Sequence, residues 1–112
     1  MTQWGPSAPL TSLKGDQAFQ RLKKGRSGRG RLVLVRWLPR KEGVAVGIVV
    51  SKKVGKAVVR NKVRRRIREI LRQLYLPPAD LVVIAQPEAR EASFPELARD
   101  LFLALKKSGL VQ

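Results

Sequence analysis

The 112-residue sequence predicts an α+β fold, an α/β sandwich built on one sheet with helices packed against it. Three observations predict it. The local signals run in the order α-β-β-α-β-α. The chain is 44% apolar, which at this length supplies one modest core. The longest helical segment carries its aliphatic residues on a single arc, wide enough to dock on a sheet and too narrow to be buried all round.

Taken in order, residues 1–10 hold two prolines and a glycine and read as a loose tail, with residues 11–112 forming a single domain. Asp16 can cap a short helix to about Lys24, with Ala18, Phe19 and Leu22 on one face and Gly25 closing it. "GRSGRGR" is basic and turn-rich. "LVLVRWL", residues 32–38, is β-branched and apolar, as a strand requires, and "PRKEG" turns the chain. "VAVGIVV", residues 44–50, has so little polar content that it reads as a strand buried on nearly both faces. A helix follows from about Ala57 to Tyr75 and is stopped by Pro77 and Pro78. "DLVVIAQ", residues 80–86, is a third strand. Ser93 and Glu96 have capping-box spacing for a last helix to about Lys107. Leu97, Leu101 and Leu105 lie along it at helical spacing, and Gly109 follows its end.

Charge then narrows the function. The formal net charge is +16, from 24 Lys and Arg against 8 Asp and Glu. Self-repulsion of that size points to a polyanionic partner, since solubility alone needs a net charge of only roughly 2–8. Residues 1–73 carry 20 basic and 3 acidic side chains, residues 74–112 carry 4 and 5, so the partner is expected on the first two thirds and scaffold in the last. The absence of Cys and His removes disulfides, zinc sites, cysteine nucleophiles and imidazole acid–base catalysis. No apolar run approaches 20 residues, and the first ten residues lack signal-peptide character. The expectation is therefore a cytoplasmic protein with no membrane partner.

The central helix shows what such a partner would meet. At ~100° per residue, Val59, Val63, Ile67, Ile70, Leu71 and Leu74 share an arc of roughly 120°. Arg60, Arg64, Arg68 and Arg72 form an i, i+4 row from one edge of it, and Asn61, Lys62, Arg65 and Arg66 fill much of the rest. Glu69 is the helix's one acid, so these cations are not committed to internal pairs. A guanidinium presents a planar fork of donors to phosphate oxygens and can stack on a base. An anionic membrane would be served by lysines and an exposed, aromatic-rich arc, and a solvated face would not need this density of Arg. Nucleic acid remains, with RNA and DNA undecided by charge alone. Asn61, just inside the helix start, suits phosphate, ribose or base as well as a bond to nearby backbone.

At "VGIVVSKKVGKAVVRNKVRRRIRE", residues 46–69, the chain closely resembles the protein component of bacterial ribonuclease P. The resemblance rests on a strand ending in Ser51, Lys52 and Lys53, followed by Arg60, Asn61, Arg64, Arg65 and Arg68 on the helix. It extends over roughly residues 11–107, with "LKGDQAFQRLKKGR" similar to the family's first helix and "LPPADLVVIAQPEA" to its last strand. It implies a fold like the second domain of ribosomal protein S5, with a single mixed sheet of four strands and a left-handed βαβ crossover. The residues themselves give three strands, with a short fourth available from "SGRGR".

The resemblance further implies a protein subunit without catalytic residues of its own. The catalytic ribonuclease P RNA, with magnesium bound chiefly by that RNA, removes the 5′ leader of precursor tRNA. Arg60, Asn61, Lys62, Arg64, Arg65 and Arg68 would hold the catalytic RNA. Phe19, Arg36, Ser51, Lys52, Lys53 and Lys56 would line a cleft for the single-stranded leader, and no small-molecule substrate is implied. The residues agree with that division of labour, because Asp16, Glu42 and Glu69 are far apart and on different elements. A two-metal nuclease needs acids converging on ions about 3.5–4 Å apart. The chain departs from the family at Lys23 and Arg36, where aromatics are common, although Trp37 is adjacent. Phe19 serves core packing as readily as leader contact. Lys52 and Lys53, read as extended backbone, would point opposite ways, leaving one of them in the cleft and a solvated turn as the alternative. A structural RNA-binding protein of ribosomal type and a DNA-binding module are the competing classes. Against the latter, the arginines wrap the helix and no helix-turn-helix partner is evident.

Overall fold

A computed structural model describes residues 10–112, so the expected tail lies outside the described residues except for Leu10. The elements are β1 (Leu10–Ser12), α1 (Asp16–Leu22), β2 (Arg26–Arg29), β3 (Val33–Pro39), β4 (Val44–Val50), α2 (Ala57–Arg72), β5 (Ala79–Ala85) and α3 (Phe94–Ser108). They form one mixed sheet in the order β1-β4-β5-β3-β2. β1 and β5 run parallel to β4, while β3 is antiparallel to both β5 and β2.

Five strands replace the three read from the residues and the four implied by resemblance. β2 does arise from the basic turn-rich stretch, and β1 is wholly new. Both are edge strands of three and four residues, mostly exposed, with no apolar alternation to announce them. Their partners make them strands, through Leu10 opposite Val44 and Gly28 opposite Val35. The three long strands fall where periodicity places them, shifted by one residue at β3 and β5.

The helix ends differ from expectation in three places. Gly15, at φ 90°, occupies the cap position of α1, and Asp16 is already helical with no side-chain cap bond. After Leu22 the chain tightens into i→i+3 bonds, Lys23 N to Gln20 O and Lys24 N to Arg21 O, so α1 stops before Lys24. α2 likewise ends at Arg72 and not Tyr75, its last carbonyls taken up by Gln73 N and Leu74 N. α3 has the expected capping box: Ser93 N donates to Glu96 Oε1 at 2.8 Å and Glu96 N donates to Ser93 Oγ at 3.2 Å. Gly109 closes it in the left-handed region, at φ 85°.

The core lies between the sheet and the α2/α3 layer. Val33, Val35, Val46, Leu81 and Val83 meet Val63, Ile67, Ile70 and Leu71 of α2 and Leu97, Leu101 and Leu105 of α3. Val59 and Leu74, at the ends of the predicted arc, are half-buried against this cluster. Trp37 donates its indole N–H to Ser108 O at 3.0 Å, tying β3 to the end of α3. α1 lies on the opposite face. There Arg21 and Arg40 converge on buried Asp80 at 2.9 and 2.8 Å, fastening α1 and the β3–β4 turn to the middle of the sheet.

Asp100 performs a similar task for the hairpin. Its carboxylate accepts the backbone N–H groups of Arg31, Leu32 and Val33 at 2.8, 2.7 and 3.1 Å, clamping the β2–β3 turn to α3. A hydrogen bond to a charged group contributes about 1.5–3 kcal/mol net of exchange with water, and these three share one carboxylate, so their contributions do not add. Asp100→Ala is therefore expected to lower unfolding free energy by about 2–3 kcal/mol in a urea titration. The capping box makes a pH prediction. The Ser93 backbone N–H, then the Ser93 side chain, hold the Glu96 carboxyl below the usual carboxylate range. A depressed folded pKa stabilises above the unfolded value, and that stabilisation disappears as pH falls through the folded value. Thermal melts across the acid range should show a shallower acid loss for Glu96→Gln than for the parent.

Candidate nucleic-acid interface

Docking α2 by its aliphatic arc turns the opposite flank outward. Asn61, Arg64, Arg65, Arg68, Glu69 and Arg72 line an open groove of about 350 Å³ along that flank. Arg64 Nη1 donates to Asn61 Oδ1 at 2.8 Å, which orients the guanidinium across the groove. Glu69 reaches only Arg72, at 3.6 Å and with both side chains at least half exposed, so the pair is weakly held. Among the described residues Arg64, Arg65 and Arg68 have no acidic partner. Their forks are left for an oxyanion from outside.

Of the six residues assigned to the catalytic RNA by resemblance, the groove gathers four: Asn61, Arg64, Arg65 and Arg68. Arg60 is half-buried and donates Nε to Gly55 O at 3.2 Å, bracing the start of α2. Lys62 is exposed but outside the groove. Arg72, which the resemblance does not assign to the RNA, completes the lining, and its place in the i, i+4 row is the sequence signal for it. Arg66 lies on the flank facing α3 and donates to Ala92 O at 3.1 Å, just before the capping box.

The second set occupies the α1 side of the sheet. Strand alternation puts Ala45, Gly47 and Val49 on that side, with Ser51 following in line. Arg36, Val82 and Gly47 form one cross-strand row; Leu34, Ile84 and Val49 form the next. Phe19 from α1 lies over Gly47, where an added Cβ would sit only 2.6 Å from Cζ of its ring. The glycine in "VAVGIVV" is thus what lets α1 approach. Arg36 Nη1 donates to Lys23 O at 3.3 Å, at the frayed end of α1. Beyond this row the trough floor stays partly open, with Val49 38% exposed and Leu34 and Ile84 half-buried. Those three apolar residues are not among the sequence-predicted set, although Gly47 marks the place where the strand meets something other than core.

Ser51, Lys52 and Lys53 stand exposed at the end of β4 beyond that trough. The extended backbone expected for the two lysines is corrected: Lys52–Val54 is a 3₁₀ turn, closed by Val54 N to Ser51 O and Gly55 N to Lys52 O. Burial of Val54 accompanies it, and because successive side chains on such a turn diverge by about 120°, both lysines stay exposed while Val54 points inward. Gly55, at φ 152° and ψ −169°, then adopts backbone that only glycine takes readily, and Lys56 stands exposed at the cap position of α2. The two expected sets therefore occupy separate surfaces, an arginine groove on α2 and a trough under α1. Among the described residues no three acidic side chains gather to hold a metal ion, and no helix is long and apolar enough to cross a membrane.

A five-stranded mixed sheet bearing an arginine groove on one face and a partly apolar trough on the other defines an α+β protein of the ribosomal S5 domain 2-like class. The ribonuclease P family pattern matches residues 9–109, and the chain belongs to that family. It is 90% identical over 103 residues to a ribonuclease P protein component of Thermus filiformis, covering 92% of this chain and 43% of that protein. It is 71% identical over 107 residues to one of Thermus thermophilus, covering 96% and 65%. The chain thus spans less than two thirds of the length of these relatives. Among solved structures, the Staphylococcus aureus RNase P protein superposes with a TM-score of 0.81 at 33% identity, over 90% of this chain and 97% of that one. A Thermotoga maritima RNase P protein gives 0.72 at 30%, over 80% and 92%.

The hydrogen bonding separates structural from available arginines on one helix. Arg66→Ala should lower stability by about 1 kcal/mol by releasing Ala92 O. Arg65→Ala should stay within about 0.5 kcal/mol of the parent. Chemical denaturation of the two variants side by side checks this.

Proposed function

We propose that this chain acts in the cytoplasm as the protein subunit of a ribonuclease P ribonucleoprotein. In this role it binds the catalytic RNA and the 5′ leader of precursor tRNA and assists removal of the leader. The observation that carries the proposal is the pairing of family membership with a groove whose Arg64, Arg65 and Arg68 forks lack acidic partners among the described residues. Planar guanidinium forks match phosphate oxygens bidentately, and the open groove suits the backbone of a folded RNA.

The trough under α1 suits a single strand. Its half-buried Leu34 and Ile84 and the Phe19 edge offer apolar contact to bases, while Arg36 and the exposed Ser51, Lys52, Lys53 and Lys56 track a backbone without reading sequence. Magnesium for the hydrolysis falls to the RNA on this reading, since the described residues offer no converging acidic set to hold it. The protein's work is positioning.

Reconstitution tests the proposal. Ribonuclease P RNA and precursor tRNA at low magnesium should be processed faster with the chain than without it. The chain alone should not process the precursor. Lys52→Ala and Lys53→Ala should weaken binding of precursor tRNA while leaving mature tRNA and the catalytic RNA nearly unchanged. Stable RNA binding with no gain in processing would instead indicate a structural RNA-binding protein.

A further inference from the structure

Along the chain, residues 74–112 are near-neutral scaffold. The tertiary structure changes their surroundings. β2 lies directly beneath α3, where an added Cβ on Gly28 would collide with Ala104 O and Ser108 N. That contact brings the basic hairpin of the N-terminal half alongside the cations of the last helix.

The resulting flank carries exposed Arg26, Arg31, Arg99, Lys106 and Lys107. None of them forms an ion pair among the described residues. The nearby acids are committed elsewhere: Asp100 to three backbone N–H groups of the hairpin, and Glu96 to the capping box. Arg31 and Arg99 are close enough to lower the Glu96 pKa, yet neither pairs with it. On the flank of α3 turned away from Asp100 and the hairpin stands Phe102, 40% exposed, with Lys106 Nζ 5.7 Å from its ring centroid. Leu103 beside it is 43% exposed. Arg99, Phe102 and Lys106 share the outer face of α3 by their i, i+3, i+7 spacing. Arg26 is held at the end of the same helix, 5.9 Å above the Trp37 ring and beside Gly109.

Helix-end electrostatics explain Lys106 and Lys107, which sit in the last turn of α3. They do not explain Arg99, two turns earlier on the same face, nor an aromatic left in water between Arg99 and Lys106. A second copy of this chain is a poor occupant, because both surfaces would bring the same unpaired cations together. Unpaired RNA fits both features: phosphates meet the cations and a base meets the ring.

We propose that the outer face of α3 is a second RNA-contact surface, in which Phe102 stacks an unpaired base and Arg99 and Lys106 hold the flanking phosphates. It rests on the chain's being an RNA-binding protein and adds a surface separate from the α2 groove and the α1 trough. On α2, Arg66 marks the flank that faces α3, whereas Arg64 and Arg68 stand roughly 160° around the helix from it.

The test uses the full chain and a short fluorescent oligouridylate as the probe. Anisotropy is read for the parent, Phe102→Ala, Phe102→Trp and the double variant Arg99→Ala/Lys106→Ala. Each is repeated with Arg36, Lys52 and Lys53 changed to Ala to weaken the α1 trough, and all are checked by circular dichroism for retained fold. With the trough weakened, binding should persist, fall roughly tenfold with Phe102→Ala and recover with Phe102→Trp. The Arg99/Lys106 double variant should reduce the salt slope by about 1.4, or 0.7 for each single-strand phosphate no longer neutralised. Cross-linking with a 4-thiouridine probe should yield adducts on α3. Unchanged binding and slope in the α3 variants, with adducts confined to α2 and the α1 trough, would overturn this surface while leaving the first reading intact. Binding indifferent to the trough and α3 changes alike would overturn both. Concentration-dependent dimers abolished by Phe102→Ala and unaffected by RNA would assign the patch to self-association and also overturn the proposal.

Discussion

The seating of α2 on the sheet is the contact on which the rest of the surface depends. Val63, Ile67, Ile70 and Leu71 form its buried stripe, closed beneath by Val46, Leu81 and Val83 and at the side by α3. An α-helix is rigid in rotation once one stripe is buried, so every other position on it is assigned a direction. Asn61, Arg64, Arg65 and Arg68 face outward because four aliphatic side chains face inward. Arg66 is turned toward Ala92 by the same rotation and becomes a brace between α2 and the start of α3.

A chain with net charge +16 must also keep its few acids from neutralising the surface it presents. Three of its eight acids are used to hold the fold together. Asp80 draws Arg21 and Arg40 together on the α1 side, Asp100 ties the hairpin to α3, and Glu96 caps that helix. Each acts through backbone groups or arginines remote from the α2 groove. The cations of α2, the 3₁₀ turn and the α3 flank are left with water or weak partners. Stability and surface potential are thereby assigned to different residues, which lets Arg64 or Arg65 change without loosening the sheet.

The trough on the other face depends on a second close approach. Phe19 rests where Gly47 has no side chain, bringing α1 down over one end of the sheet and leaving Val49 and its row open beyond it. Two surfaces of different character then lie on opposite sides of β4. One is a charged groove suited to a folded phosphate backbone, the other a mixed apolar and basic channel suited to a single strand. Neither brings together the carboxylates that hydrolysis would require of the protein itself.

The long elements were legible in the sequence because each declares itself within its own residues. β3, β4 and β5 are apolar runs bounded by turn signals, α2 and α3 carry apolar residues at helical spacing, and Ser93 and Glu96 announce their cap. The arginine groove was legible for the same reason, since its members are near neighbours on one helix. β1 and β2 were not, because an edge strand of three or four mostly polar residues is a strand only by virtue of the neighbour that pairs with it. Asp16 does not act as a cap because Gly15 supplies the turn first, and the lysine turn departs from extended backbone as Val54 points inward. By itself the sequence determined the class of fold, the excess of positive charge and the helix on which that charge concentrates. Only the tertiary structure decided that Asp100 clamps a hairpin, that Phe19 fits over Gly47, and that Arg26 of β2 stands beside Gly109 at the end of α3. Those are pairings between residues far apart in the chain, set by packing rather than by any local pattern.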